Sequence, residues 1–138
     1  MAETKYGKYI LRDPIGKGVF APSMMLNGEK DFGGQPLSIA WSSYSEPFDV
    51  YQDSHKHDFD QFLWFLGGDP MDVGNLGAEI EFSLGEEQEK HIINTASIVY
   101  IPKGLYHCPL NYKVVHKPFA VLDVFLSPTY AQRKDKSE

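Results

Sequence analysis

Four side chains of this sequence have the types and spacing to hold a metal ion. His55, His57 and Gln61 lie in the stretch "SHKHDFDQFLWFLGG", and His107 follows the sharp turn "PKG" forty-six residues after Gln61. A neutral imidazole nitrogen and an amide oxygen each offer a lone pair to a divalent cation. Side chains on a strand alternate faces, so His55, His57, Phe59 and Gln61 share one face and Lys56, Asp58 and Asp60 the other, provided the segment stays extended through Asp60. Asp58 and Asp60 then point outward, to solvent or salt bridges. Three imidazoles and one amide leave one or two positions of a divalent site open to water or substrate.

The same parity carries on into the apolar run. Leu63 and Phe65 fall on the face of Gln61 and Trp64 on the opposite one, so in a small barrel Phe59, Leu63 and Phe65 would line the cavity beside the ion. Tyr106, just before His107, and Tyr51 are the candidates for catalytic groups, and Tyr44 is a candidate substrate contact; for each, a structural aromatic is the plainer reading. Lys103, in the turn "PKG", could hold a substrate carboxylate at the mouth or simply be solvated. His91 in "EEQEKHIIN" and His116 in "VVHKP" read as surface or edge histidines. Cys108 should face away from His107 into packing, as a small buried hydrophobe. The segment "RDPIGKG" lacks the spacing of a phosphate loop, and neither Gly-x-Ser-x-Gly nor His-Glu-x-x-His occurs.

The elements that must position these groups are strands. Short apolar or alternating runs are cut every 8 to 12 residues by Gly, Pro or Asn, and no segment keeps a helical apolar period for long. The pattern predicts strands at Leu37–Tyr44, Asp49–His55, Gln61–Leu66, Ala78–Leu84, Gln88–Ile93, Ser97–Ile101, His107–Tyr112 and Phe119–Leu126, hence an all-β sandwich or barrel. Residues 1–36 are rich in Gly and Pro and read as an arm and loops that cover the barrel or pair with a second subunit. Residues 37–126 form the barrel, and residues 127–138 a polar tail.

At 138 residues the chain is one domain, long enough to bury a core without staples. Its 42% hydrophobic and 23% charged residues are ordinary for a globular protein. A net charge of -6 disfavours nucleic acid and anionic membrane as partners, because both need a basic face. No window approaches a membrane span and the N-terminus has no uninterrupted apolar segment, so a cytoplasmic address is the default expectation. The single cysteine excludes an internal disulfide and a Cys-based zinc site, leaving His, Asp, Glu and Gln as ligands.

The spacings also match a family. The cupin superfamily shows Gly, five residues, His-x-His, three or four residues, Glu, six residues, Gly, and then Gly, five residues, Pro-x-Gly, two residues, His, three residues, Asn. This chain reads Asp49, His55, His57, Gln61, Gly68 and then Ala96, Pro102, Gly104, His107, Asn111, which keeps seven of the ten expected residue types. The resemblance runs from about Leu37 to Leu126. It implies an antiparallel jelly-roll barrel with an N-terminal arm, holding one divalent transition metal (Fe, Mn, Ni, Zn or Cu) on His55, His57, Gln61 and His107. It also implies a homodimer and a small-molecule ligand. The corresponding activity is isomerase, lyase, decarboxylase or dioxygenase chemistry on a hydroxy or keto acid, an enol or a sugar acid. A non-catalytic sensor or store, and a metal-free epimerase with histidine bases, are the other readings. Gln61 in place of Glu matters most among the departures, because an amide offsets none of the ion's charge.

Overall fold

The computed structural model describes residues 4–129; the first three residues and most of the expected polar tail, 130–138, lie outside them. Two antiparallel sheets face each other. The larger has six strands: β1 (Ile15–Gly16), β2 (Ser23–Asn27), β3 (Ser38–Tyr44), β10 (Phe119–Phe125), β5 (Gln61–Gly67) and β8 (Ser97–Ile101), in that spatial order. The smaller has β4 (Phe48–Tyr51), β9 (His107–Val115), β6 (Ala78–Leu84) and β7 (Glu89–Ile93), again in spatial order. The all-β antiparallel expectation holds. Each strand of the barrel region matches a predicted one, with shifts at the ends.

Alternation explains the strands. In β5 the buried residues are Gln61, Leu63, Phe65 and Gly67, while Trp64 stays exposed. In β6 Ala78, Ile80 and Phe82 are buried in the same way, and in β10 Phe119, Val121 and Phe125 complete the pattern. Leu63, Phe65, Ala78, Ile80, Phe82, Phe119 and Val121 meet between the sheets, joined by Leu76, Ile101, Leu110 and Tyr112, in one apolar cluster. Near one end the facing side chains become polar, and that end carries the site.

Two segments depart from the sequence reading. The expected strand Asp49–His55 ends at Tyr51, because the pairing of β4 with β9 shifts register between Asp49 and Tyr51 and then stops. The stretch through Asp60 is therefore not a continuous strand, and His55 keeps only an isolated bridge to His107. The first thirty-six residues are more regular than their Gly and Pro content suggests. β2 pairs with β3 from Met24↔Trp41 to Asn27↔Ser38, and β1 pairs with β2. A single-turn helix, α1 (Gly28–Phe32), follows; Asn27 caps it by accepting from the Lys30 amide at 3.1 Å, and Gly33 ends it at φ 69°. Asp49 and Ala96, which stand at glycine positions of the resembled pattern, are not among the positive-φ residues, so neither carries backbone strain. Among the described residues no helix is long and apolar enough to cross a membrane.

Candidate metal centre

His55 and His107 are paired through their backbones. The His55 amide donates to the His107 carbonyl at 3.0 Å, and the His107 amide donates back to the His55 carbonyl at 2.8 Å. Each ring is then fixed by a carbonyl two residues earlier: His55 Nδ1 lies 3.0 Å from the Asp53 oxygen and His107 Nδ1 lies 2.9 Å from the Leu105 oxygen. A carbonyl only accepts, so in the neutral rings Nδ1 carries the proton and Nε2 keeps its lone pair. His57 is anchored by its own carbonyl, which accepts from the Gly104 amide of the "PKG" turn at 2.9 Å, and by its ring, which stacks on Phe59 at 4.8 Å. Gly104 takes φ 84°, the left-handed conformation that glycine adopts without strain.

The three rings converge. His55 and His107 have ring centroids 4.4 Å apart, His57 lies 5.0 and 5.1 Å from them, and their candidate ligand nitrogens are within 4.8 Å of one another. Gln61, first residue of β5, lines the same cavity. Its Nε2 donates to Asp123 Oδ1 at 2.8 Å, which leaves Oε1 as the group for the site. Gln61 Oε1 and His107 Nε2 are both buried without a hydrogen-bond partner. Orphaned buried acceptors are costly, and two in one cavity beside two further imidazoles form a donor set that fits a divalent cation. Burial pushes His107 down to about 4, against a partial upward pull from its bond to the Leu105 carbonyl, and the His55 and His57 rings lower it further. The ring is therefore neutral over the physiological range.

The cavity measures about 440 Å³, within the range of small-molecule sites. Tyr44, Tyr51 and Leu63 line it, together with Val50, Leu110 and Val121. Residues 17–19 contribute to the lining, and Phe20 packs edge-on against Tyr44 and Phe48. Phe59, Phe65, Tyr106 and Lys103 are not brought to the cavity. Phe59 stacks behind His57 and against Phe125. Phe65, only 1% exposed, sits one inward step beyond Leu63 in the core and meets Tyr112. Tyr106 lies under Lys56 Nζ at 5.1 Å. Lys103 is on the outer surface, 3.4 Å from the Asp58 carboxylate, because the "PKG" turn directs it away from the barrel. Asp60 also faces outward, accepting from the Lys103 amide at 2.9 Å and from Tyr100 Oη at 3.1 Å.

Sequence reasoning missed the two charged groups among the described cavity residues. Lys17, in the region read as an arm, is the one cation among the described lining residues. Asp123, in an apolar strand, falls on the inward parity of Phe119, Val121 and Phe125, and that alternation was the signal available. Tyr44 has its phenol raised above its usual range by burial and then by the Asp123 charge, so it stays protonated. Cys108 is buried in the core cluster as a small hydrophobe, yet it also reaches the cavity beside His107. Strict alternation fails there, where the pairing of β6 with β9 shifts register between Phe82 and Leu84.

No protein-family model matches the chain, and no curated protein matches it. Solved structures do. A point mutant of oxalate decarboxylase from Bacillus subtilis superposes with a TM-score of 0.54 over 87% of this chain, at 10% identity. A sugar phosphate isomerase from a cupin superfamily, of Silicibacter pomeroyi, gives a TM-score of 0.51 over 80%, at 12% identity. The fold is the cupin fold. The chain spans 29% of the oxalate decarboxylase and 59% of the isomerase, so the likeness concerns the cupin barrel and not those whole proteins. Within this fold His55, His57 and His107 lie close enough together to hold a metal ion.

Proposed function

We propose that this chain is a metal-dependent cupin enzyme acting on a small oxygen-rich acid: a hydroxy or keto acid, an enol or a sugar acid. The observation that carries the reading is the convergence of three imidazoles on one cavity with Gln61 Oε1 and His107 Nε2 buried and unpartnered. His55, His57, Gln61 and His107 would hold one divalent transition metal. When bound, that ion supplies Lewis-acid stabilisation of the anion that develops as a C–H or C–C bond breaks. The chain's residues do the rest. The Asp53 and Leu105 carbonyls keep the protons on Nδ1, Lys17 in the cavity lining offsets the charge of an acid, and Tyr44 Oη holds a proton to donate. Metal analysis of untagged protein should find near one equivalent per chain. A panel of small hydroxy, keto and sugar acids should then give turnover that His57→Ala abolishes and Lys17→Ala weakens through KM. Protein without metal that keeps its activity under chelation would overturn the reading, and ligand-dependent stabilisation without product would leave a sensor in its place.

The partner is a second copy of the chain, seated on the outer face of the six-stranded sheet. Strand register lines up two apolar rows there: Met24, Trp41, Leu122, Trp64 and Ile98, and beside them Leu26, Ile39, Val124, Phe62 and Tyr100. Trp41 is 39% exposed, Trp64 40% and Ile98 58%. Contiguous exposed apolar rows of this kind mark an interaction surface. Light scattering on a sizing column should return twice the chain mass, and Trp41→Arg with Trp64→Arg should return one. A monomeric wild type at micromolar concentration would exclude this pairing.

A further inference from the structure

Gln61 differs from the carboxylate of the resembled motif by bringing no charge, yet a carboxylate stands one hydrogen bond behind it. Asp123 lies on β10, the neighbour of β5, in register with Leu63, so Gln61 and Asp123 are diagonal inward neighbours across the ladder. Gln61 Nε2 donates to Asp123 Oδ1 at 2.8 Å, a charge-assisted bond. An amide can present either end to a site. Turned over, Gln61 would set Oε1 against the Asp123 carboxylate and aim an NH2 group at the imidazoles, which would lose the bond and give the ion a donor with no lone pair.

We propose that Asp123 is the positioning residue of the metal centre: it fixes the Gln61 amide with its oxygen toward the three histidines, so that the Gln61–Asp123 pair replaces a single carboxylate ligand. Gln61 Oε1 is buried without a hydrogen-bond partner, and Gln61 lines the same cavity as the three histidines; that is the independent sign that its free end is meant for a ligand. The negative charge is retained, but one residue removed from the ion. The idea rests on the metal-binding reading above and adds to it a residue 62 positions away from Gln61.

The test uses Co(II) as the probe, with affinity from calorimetry and coordination from the visible d–d spectrum, on variants whose melting temperatures show them folded. Asp123→Asn keeps the shape but lets either amide end face Gln61; affinity should fall about ten- to a hundredfold, with a changed spectrum. The exchanged pair, Gln61→Glu with Asp123→Asn, puts a carboxylate toward the histidines and an amide behind it at unchanged total charge. It should recover wild-type affinity or better, which a residue of merely structural importance would not allow. An Asp123→Asn protein with wild-type affinity and spectrum overturns the inference while leaving the metal site standing, as does an exchanged pair no better than Asp123→Asn alone. A wild type that binds no Co(II) overturns both.

Discussion

His55 and His107 exchange backbone hydrogen bonds in both directions, at 3.0 and 2.8 Å, although fifty-one intervening residues separate them in the chain. This bridge joins the two histidine-bearing segments directly, with no other residue of either segment in the ladder. The frame for the ligands is thus built from main chain, and the side chains inherit their placement from it.

Metal binding should therefore stabilise the protein without reorganising it. Stripping with a chelator is expected to lower the melting temperature with little change in far-ultraviolet circular dichroism, and readdition should restore it. At a free metal concentration a hundredfold above Kd the gain is about 2.7 kcal/mol. Chelation that unfolds the chain would contradict a frame held by the backbone.

His57→Ala and His91→Ala should separate cleanly. His57 is within the three-histidine cluster, whereas His91 is exposed on β7 and pairs with Glu89 at 2.7 Å. Removal of the first should lower metal affinity by at least about a hundredfold. Removal of the second should leave affinity unchanged and stability within about 0.5 kcal/mol.

Asp60→Ala should loosen the turn that carries Lys103 and Gly104 and leave the ion's donors intact. Its carboxylate holds the Lys103 amide and Tyr100 Oη, and a net loss of about 1 kcal/mol is expected from chemical denaturation. The hydrogen bond to Asp60, then slight desolvation and the Asp60 charge, hold the Tyr100 phenol above its usual 10. Removing the carboxylate takes away the group that favours the protonated phenol, so Tyr100 should titrate at lower pH in the variant, followed by NMR of its ring.

Phe82→Ala should cost about 3–5 kcal/mol, measured by urea unfolding. The ring is 1% exposed, belongs to the central cluster and meets His107 edge-on at 6.4 Å. Because it lies beside His107, the cavity it leaves should also weaken metal binding, whereas Phe65→Ala, beyond the three histidines, should cost similar stability with less effect on affinity.

Much of this was legible because two periodicities are local. Alternation in β5 placed Leu63 inward and Trp64 outward, and the His55, His57 and His107 spacings marked the segments whose imidazoles converge. The condition attached to the first histidines, an extended run through Asp60, was not met. The rings converge all the same, since the bridge to His107 and the bond from Gly104 do what continuous pairing would have done.

The sequence by itself determined the sheet-forming pattern and the inward and outward faces of β5, properties of residues near one another in the chain, and the spacing of the imidazoles. Only the tertiary structure decided that Asp123 stands behind Gln61, that Lys17 and not Lys103 reaches the cavity, and that Ser23–Asn27 becomes a strand on the edge of β3. Those outcomes depend on which strands become neighbours and in what register. Register is settled by the simultaneous burial of both inner faces, a condition that no single stretch of sequence expresses.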